Sequence, residues 1–134
     1  MKGSLLIAKE VDRMTSLKPI GLFDSGVGGI SIMKEVRRLL PDEDLLYYAD
    51  SAHCPYGTKP PEIIRARAFA IGDFLLSRGA KIIVVASNTT SVTSLDAVRQ
   101  RYSIPVVGVE PAVKPAVAAT KNGRIGVLAT GVTL

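Results

Sequence analysis

Asp24 and Ser25 end a short apolar run, residues 20–23, and are followed by three closely spaced glycines. A carboxylate at such a turn can hold a cation or assist a base, and glycines allow tight turning and close backbone approach to a ligand. The glycines do not follow the spacing G-x-G-x-x-G and no G-K-[ST] sequence follows them, so a nucleotide loop is poorly supported. The structural alternative is an aspartate that caps the next helix. Spacing alone leaves both interpretations open.

Ser87, Asn88 and Thr89 follow a second apolar run, residues 82–86, which is typical of a strand buried on both faces. Their hydroxyl and amide groups, beside the unpaired N–H groups of a helix that begins there, could hold a carboxylate or an ammonium group. The structural alternative is a helix cap next to a small strand-end residue. A hydrolase nucleophile is disfavoured, because no G-x-S-x-G sequence surrounds Ser87 and His53 is the only histidine.

The loop of residues 50–61 is rich in turn formers and contains His53, Cys54 and Tyr56. Tyr56 could form a pocket wall or donate its hydroxyl; otherwise it is a surface aromatic. His53 and Cys54 are adjacent and no second cluster of ligands exists, so no metal site is predicted. With a single cysteine the 134 residues cannot form an internal disulfide, which fits a reducing, cytoplasmic setting.

Apolar periodicity alternates between strands and helices along the chain. Strands are predicted at residues 20–23, 45–49, 82–86, 106–109 and 125–129. Helices are predicted from residue 30 to 40, from 62 to about 77, over a segment with Val92, Leu95 and Val98 inside, and from 110 to 119. This alternation predicts an α/β fold, a parallel sheet flanked by helices that is doubly wound and flavodoxin-like. Asp24, Ser87 and the 50–61 loop would then meet at the carboxyl edge of the sheet, where such folds bind ligands.

Composition excludes several classes of protein. Apolar residues make up 47% and charged residues 22%, as in an ordinary globular domain. The net charge of +5 is scattered over predicted helix faces without aromatics to stack bases, so no nucleic-acid partner is expected. No apolar run approaches the ~20 residues needed to cross a bilayer, so no membrane partner is expected. Within residues 1–18 the apolar stretch 5–8 is too short for a signal peptide and its surroundings are too charged, so this segment is interpreted as an N-terminal extension.

Four motifs in register resemble glutamate racemase. They are IGLFDSGVGG at residues 20–29, the loop with PYGTK at 55–59, VVASNT at 84–89 and VVGVEP at 106–111. The similarity covers residues 19–134, the N-terminal half of the usual family length. It implies a first racemase domain at 19–110, followed at 111–134 by a linker helix and the first strand of an incomplete second domain.

The resemblance implies a cofactor-independent isomerase that interconverts L- and D-glutamate for peptidoglycan and cell-wall synthesis by two-base proton transfer. Two cysteines, one from each half of the family's chain, exchange the α-proton. Residues that match the family's substrate-binding positions are Asp24, Ser25, Tyr56, Gly57, Asn88, Thr89 and Thr130. Asp24 would also assist the first base. The first catalytic cysteine is replaced here by Ser87, and the second belongs to the half that is absent.

Because an alkoxide is much harder to form than a thiolate, Ser87 should be a very poor base for the α-carbon proton. Three readings remain: an inactivated or truncated racemase, a non-catalytic module that binds a small acidic ligand or a protein, and another amino-acid racemase such as aspartate racemase. An open sheet edge at the predicted fifth strand would also favour self-association, so a homo-oligomer is a possible state.

Overall fold

A computed structural model of the protein describes residues 17–133. Most of the predicted N-terminal extension, residues 1–16, lies outside the described residues, as does residue 134. The strands are β1 (Ile20–Asp24), β2 (Leu45–Ala49), β3 (Ile82–Val85) and β4 (Val106–Gly108). The helices are α1 (Ile30–Leu39), α2 (Pro61–Ser77), α3 (Asn88–Arg101) and α4 (Val113–Ala119), with two 3₁₀ turns at Ser51–His53 and Tyr56–Thr58.

All strand pairs are parallel and the order across the sheet is β2-β1-β3-β4. The prediction of a parallel, doubly wound α/β fold is therefore confirmed. No helix of residues 17–133 is long and apolar enough to cross a membrane.

Alternating side chains of the strands fill two apolar layers, as the period of a strand requires. One layer contains Ile20, Leu22 and Val84, against which α1 packs through Ile32, Met33 and Val36. The other layer contains Phe23, Ile83 and Val85, covered by α2 and α3 through Ala68, Ile71, Leu75 and Val98. Both faces of the sheet are thus buried, which explains why β1 and β3 read as continuous apolar runs.

The connections that leave β1 and β3 pass to opposite faces of the sheet, since α1 covers one layer and α3 the other. These two strands are neighbours, with Phe23 paired to Val85. The two connections therefore diverge at the carboxyl ends of β1 and β3, and a crevice opens between these ends, as at the switch point of other open α/β sheets. This topology places the residues that follow β1 and β3 side by side.

The predicted fifth strand, Ile125–Ala129, is wrong: in the described part of the chain these residues pair with no strand. Instead they lie along the crevice, with Leu128 fully exposed. Apolar periodicity identified a segment able to form a strand, but a strand also requires a neighbour that satisfies its backbone hydrogen bonds.

The predicted inward position of Val92 in α3 is also wrong, because this side chain is 52% exposed. Val98 is buried as predicted and Leu95 is partly buried against the core. The inward face of the first turns carries Thr90, Ser91 and Ser94 instead. The Ser91 hydroxyl donates to the Val85 carbonyl at 3.4 Å and accepts from the Val109 amide at 3.2 Å, so a small polar side chain there satisfies backbone groups at the ends of two strands.

Candidate active site

A cleft of about 830 Å³ opens at the carboxyl ends of β1 and β3. Its walls come from the β1–α1 turn, the start of α3, and the segments 109–116 and 125–133. Most of the site residues predicted from the sequence line it: Asp24, Ser25, Ser87, Asn88, Thr89 and Thr130. Two stretches more than 60 residues apart in the chain are thereby brought to one cavity.

Asp24 is 9% exposed and its carboxylate organises the glycine-rich turn. Oδ1 accepts a hydrogen bond from the Ser25 amide at 2.7 Å, and Oδ2 accepts one from the Gly29 amide at 3.0 Å. The Ser25 hydroxyl also donates to Oδ1, at 3.4 Å. Oδ2 can accept a second bond, so the group retains capacity for a cationic donor in the cleft. Asp24 therefore secures the entry to α1 and also lines the cleft.

Gly29 sits where three side chains converge. A Cβ atom at this position would lie 2.8 Å from the Tyr47 hydroxyl and 2.9 Å from the Cβ atoms of Ala86 and Asp24. Only a residue without a side chain allows this approach. The Tyr47 hydroxyl donates to the Gly26 carbonyl at 2.8 Å, and burial together with the charge of Asp24 raises the pKa of Tyr47. Sequence analysis did not identify this supporting role of Tyr47. The available signal was a tyrosine on β2, the strand next to the one that ends at the glycine-rich turn.

Ser87 caps α3 and is 8% exposed. Its Oγ atom accepts hydrogen bonds from the Thr90 amide at 3.3 Å and from the Thr90 hydroxyl at 3.1 Å. These two bonds use both lone pairs of the serine oxygen, so its own hydrogen is the group left to interact with a ligand. The helix-cap alternative is therefore confirmed, and the Ser87 hydrogen is available to a ligand in the cleft.

Asn88 and Thr89 form the start of α3, with Asn88 exposed. The Thr89 hydroxyl is 3.0 Å from the Thr130 hydroxyl, which is in turn 2.9 Å from that of Thr133. This chain of hydroxyls joins the C-terminal segment to the rim of the cleft.

Tyr56 and Gly57 are adjacent to the cleft but do not line it. The Tyr56 side chain is 2% exposed and its hydroxyl donates to Asp50 Oδ2 at 2.6 Å. A Cβ atom on Gly57 would lie 2.5 Å from Thr130 Cγ2, so this glycine packs directly on the cleft-lining segment. Substrate binding by these two residues stays a prediction, and the Tyr56 hydroxyl is already engaged elsewhere.

Asp50, which the sequence did not single out, is the centre of the loop that carries Tyr56. It is 2% exposed, and Arg67 binds both of its oxygens at 2.9 Å. His53 Nδ1 lies 3.0 Å from Oδ1. Burial by itself would raise the pKa of Asp50, but the hydrogen bonds from Arg67, Tyr56 and His53 outweigh it and hold that pKa below its ordinary value. The lone histidine therefore has a structural partner, and within residues 17–133 no cluster of three metal-ligating side chains occurs.

The sequence profile of Asp/Glu/hydantoin racemases matches residues 20–133 of this chain. Similar curated proteins include the glutamate racemase of Pseudomonas paraeruginosa, 59% identical over 117 residues that cover 87% of this chain and 44% of that protein. The glutamate racemase of Methylococcus capsulatus is 57% identical over 116 residues, 87% of this chain and 43% of that protein. The chain thus spans less than half the length of the curated relatives it matches.

Solved structures agree with the sequence comparison. The glutamate racemase of Aquifex pyrophilus superposes with a TM-score of 0.77 at 39% identity, covering 86% of this chain and 46% of that one. The Escherichia coli enzyme, solved with L-glutamate and the activator UDP-MurNAc-Ala, gives 0.75 at 46% identity, covering 79% and 41%. The Francisella tularensis enzyme, solved with D-glutamate, gives 0.72 at 38%, covering 88% and 44%. The curated relatives and the solved structures described above are named glutamate racemase. Because the family profile and these relatives match most of its residues, the chain belongs to the Asp/Glu/hydantoin racemase family.

Proposed function

We propose that this chain is the glutamate-binding N-terminal half of a glutamate racemase-type protein. The observation that carries the proposal is the convergence of Asp24 with Ser87, Asn88 and Thr89 on one cleft, in a chain whose relatives are named glutamate racemase. Residues 19–110 form the first racemase domain, and 111–134 form a linker helix and the beginning of a second. The cellular role of the racemase type to which this half corresponds is the supply of D-glutamate for peptidoglycan in the cytoplasm.

The polar groups of the cleft suit the two ends of an α-amino acid. The Asp24 carboxylate accepts hydrogen bonds from the ligand ammonium group. The Ser87 hydroxyl, the exposed Asn88 amide and the first N–H groups of α3 donate to a ligand carboxylate, favoured by the positive end of the helix dipole. Ser25, Thr89 and Thr130 complete the rim. Tyr56 and Gly57 act from behind it, by supporting the position of Thr130.

Racemisation requires a base on each side of the α-carbon. Two proton transfers between side chains and carbon need no cofactor. In this chain the position of the first base holds Ser87, whose oxygen is engaged as an acceptor by Thr90 and whose ionisation is far less favourable than that of a thiol. The second base belongs to the other half of the family's chain. The chain therefore binds glutamate without racemising it.

Calorimetry with L- and D-glutamate tests the binding, and NMR in D₂O tests exchange of the α-proton. We expect saturable binding without exchange by the unsubstituted 134-residue chain. Asp24→Asn should weaken binding about tenfold or more, the loss typical of a charged hydrogen bond. Asp42→Asn, a matched change at an exposed turn, should leave it unaltered.

Restoring both bases tests the reaction. We expect exchange and racemisation from Ser87→Cys when the C-terminal half of the P. paraeruginosa relative is supplied, and neither from the same assembly with Ser87. Failure of that assembly to racemise glutamate would argue against the racemase origin of the site.

The second candidate is a non-catalytic module that binds a small acidic ligand or a protein partner. The availability of the Ser87 hydroxyl hydrogen favours it, since that position now suits binding and not proton abstraction. Saturable glutamate binding without turnover by the complete gene product supports this reading. Tighter binding of aspartate than of glutamate in the same titration would support an aspartate racemase origin instead.

A further inference from the structure

Thr90 is the residue that engages the side chain at position 87. It is completely buried in the first turn of α3. Its amide and its hydroxyl both donate to the Ser87 oxygen, at 3.3 and 3.1 Å. Among the described residues the Thr90 hydroxyl has no other hydrogen-bond partner.

Two donors that converge on one atom at a helix N-terminus favour negative charge on that atom. A serine oxygen is too weak an acid to use this arrangement, so here it only fixes the cap. A thiol at the same place would lose its proton more readily, as cysteines at helix N-termini do. Asp24 is the one charged side chain among the described residues that line the cleft, and its carboxylate acts in the opposite direction.

We propose that Thr90 is a positioning residue for position 87, which holds the side-chain atom at the cleft floor and stabilises its anionic form when that atom is sulfur. The role of position 87 in proton transfer rests on the proposed function. The effect of Thr90 on the charge of the atom at position 87 does not. With serine present, the same two bonds leave the hydroxyl hydrogen available to a ligand in the cleft.

The test is the ionisation of a thiol placed at position 87 of the whole chain. Ser87→Cys is made together with Cys54→Ser, so that residue 87 is the only thiol. The rate of alkylation by iodoacetamide against pH then reports its pKa. We expect a value at least about one unit below the ordinary thiol value of about 8.5.

Removal of the Thr90 hydroxyl isolates its contribution. Thr90→Val, which keeps the shape, should raise the thiol pKa by about one unit, as loss of a hydrogen bond to a charged group does. Thr90→Ser should restore it. Thr93→Val is the matched control. It removes a hydroxyl that lies 2.9 Å from the Thr89 carbonyl, 3.4 Å from the Thr90 carbonyl and 3.1 Å from the Ser94 hydroxyl, and that makes no hydrogen bond to residue 87. It should leave the thiol pKa unchanged.

An unchanged pKa in Thr90→Val, or an equal shift in Thr93→Val, overturns the proposal. Circular dichroism shows whether each variant is folded, and Thr90→Ala replaces Thr90→Val if the latter is not. Glutamate binding is scored separately on the unsubstituted chain. If the thiol pKa shifts as expected but the chain does not bind glutamate, the proposed ligand is overturned and the assignment of Thr90 stands.

Discussion

Asp50 depends on partners from three places in the chain. Arg67 of α2 binds both carboxylate oxygens, Tyr56 donates to one of them, and His53 contacts the other. A buried carboxylate is costly to desolvate, so it is stable only while these bonds are made. Its partners keep it ionised, and it in turn fixes the loop that carries Gly57 against Thr130.

Asp50→Asn should lower the free energy of unfolding at pH 7 by about 3 kcal/mol, because it leaves Arg67 beside a neutral group. The pKa of Asp50 is lowered in the folded chain, so its contribution is complete above its unfolded value of about 3.9 and is lost as pH falls through the folded value. Urea unfolding between pH 8 and pH 3 measures this. The difference between unsubstituted chain and variant should be constant above about pH 5 and shrink below pH 4.

Glu35→Gln is the matched control for this prediction. Glu35 pairs with Arg38 on the surface of α1, where both side chains are mostly exposed. Exposed pairs contribute at most about 1 kcal/mol, so this change should alter stability little at any pH. An Asp50→Asn variant as stable as Glu35→Gln would show that the buried cluster is not needed for folding.

At the scale of elements, α2 and α3 approach closely because α2 carries a glycine. Gly72 is buried, and a Cβ atom on it would lie 2.5 Å from the Tyr102 hydroxyl. That hydroxyl lies 2.8 Å from the Phe69 carbonyl oxygen and 2.8 Å from Asp73 Oδ1, and its single hydrogen is shared between these two acceptors. The ring of Tyr102 therefore lies directly on the backbone of α2.

Gly72→Ala should lower the free energy of unfolding by about 1–2 kcal/mol. Alanine favours a helix over glycine by about 1 kcal/mol, but overpacking against Tyr102 and loss of its hydrogen bonds cost more than this gain. Chemical denaturation measures the change. Tyr102→Phe, which removes the crowded oxygen, should recover part of the loss in the Gly72→Ala background.

Ala70→Gly supplies the control for helix propensity, since Ala70 is an exposed residue of the same helix. It should cost about 1 kcal/mol, the ordinary penalty. If Gly72→Ala were instead stabilising by that amount, the close contact between the two helices would be contradicted.

At the scale of the whole molecule, the C-terminal part of the described chain exposes apolar side chains. Val117 of α4 is 57% exposed, Val127 is 48% exposed and Leu128 is fully exposed. The edge strand β4 adds Val107, which is 50% exposed. Exposed apolar side chains and an open sheet edge favour association with another surface.

We predict that the isolated chain self-associates, with a sedimentation coefficient that rises with protein concentration. Replacement of Val127 and Leu128 by lysine should reduce this association. Leu39→Lys, at a 65% exposed position of α1, should not. A monomer with a sharp melting transition independent of concentration would contradict the prediction.

The local pattern of the sequence determined most of the fold and the location of the cleft. Periodicity distinguished the four paired strands and their helices, because the two apolar layers impose a repeat that each segment carries by itself. Parallel strands place their carboxyl ends at one edge, so the positions of Asp24 and Ser87 followed from their being strand-end residues. The family motifs could likewise be recognised from the sequence without coordinates.

Other features were decided only by tertiary structure, since they depend on partners distant in the chain. Residues 125–129 have the composition of a strand but find no neighbour to pair with. The Tyr56 hydroxyl points to Asp50 because Arg67, eleven residues further on, holds that carboxylate. Composition and apolar periodicity specify which segments can form helices and strands. Hydrogen-bond partners and close contacts are determined only when those segments pack.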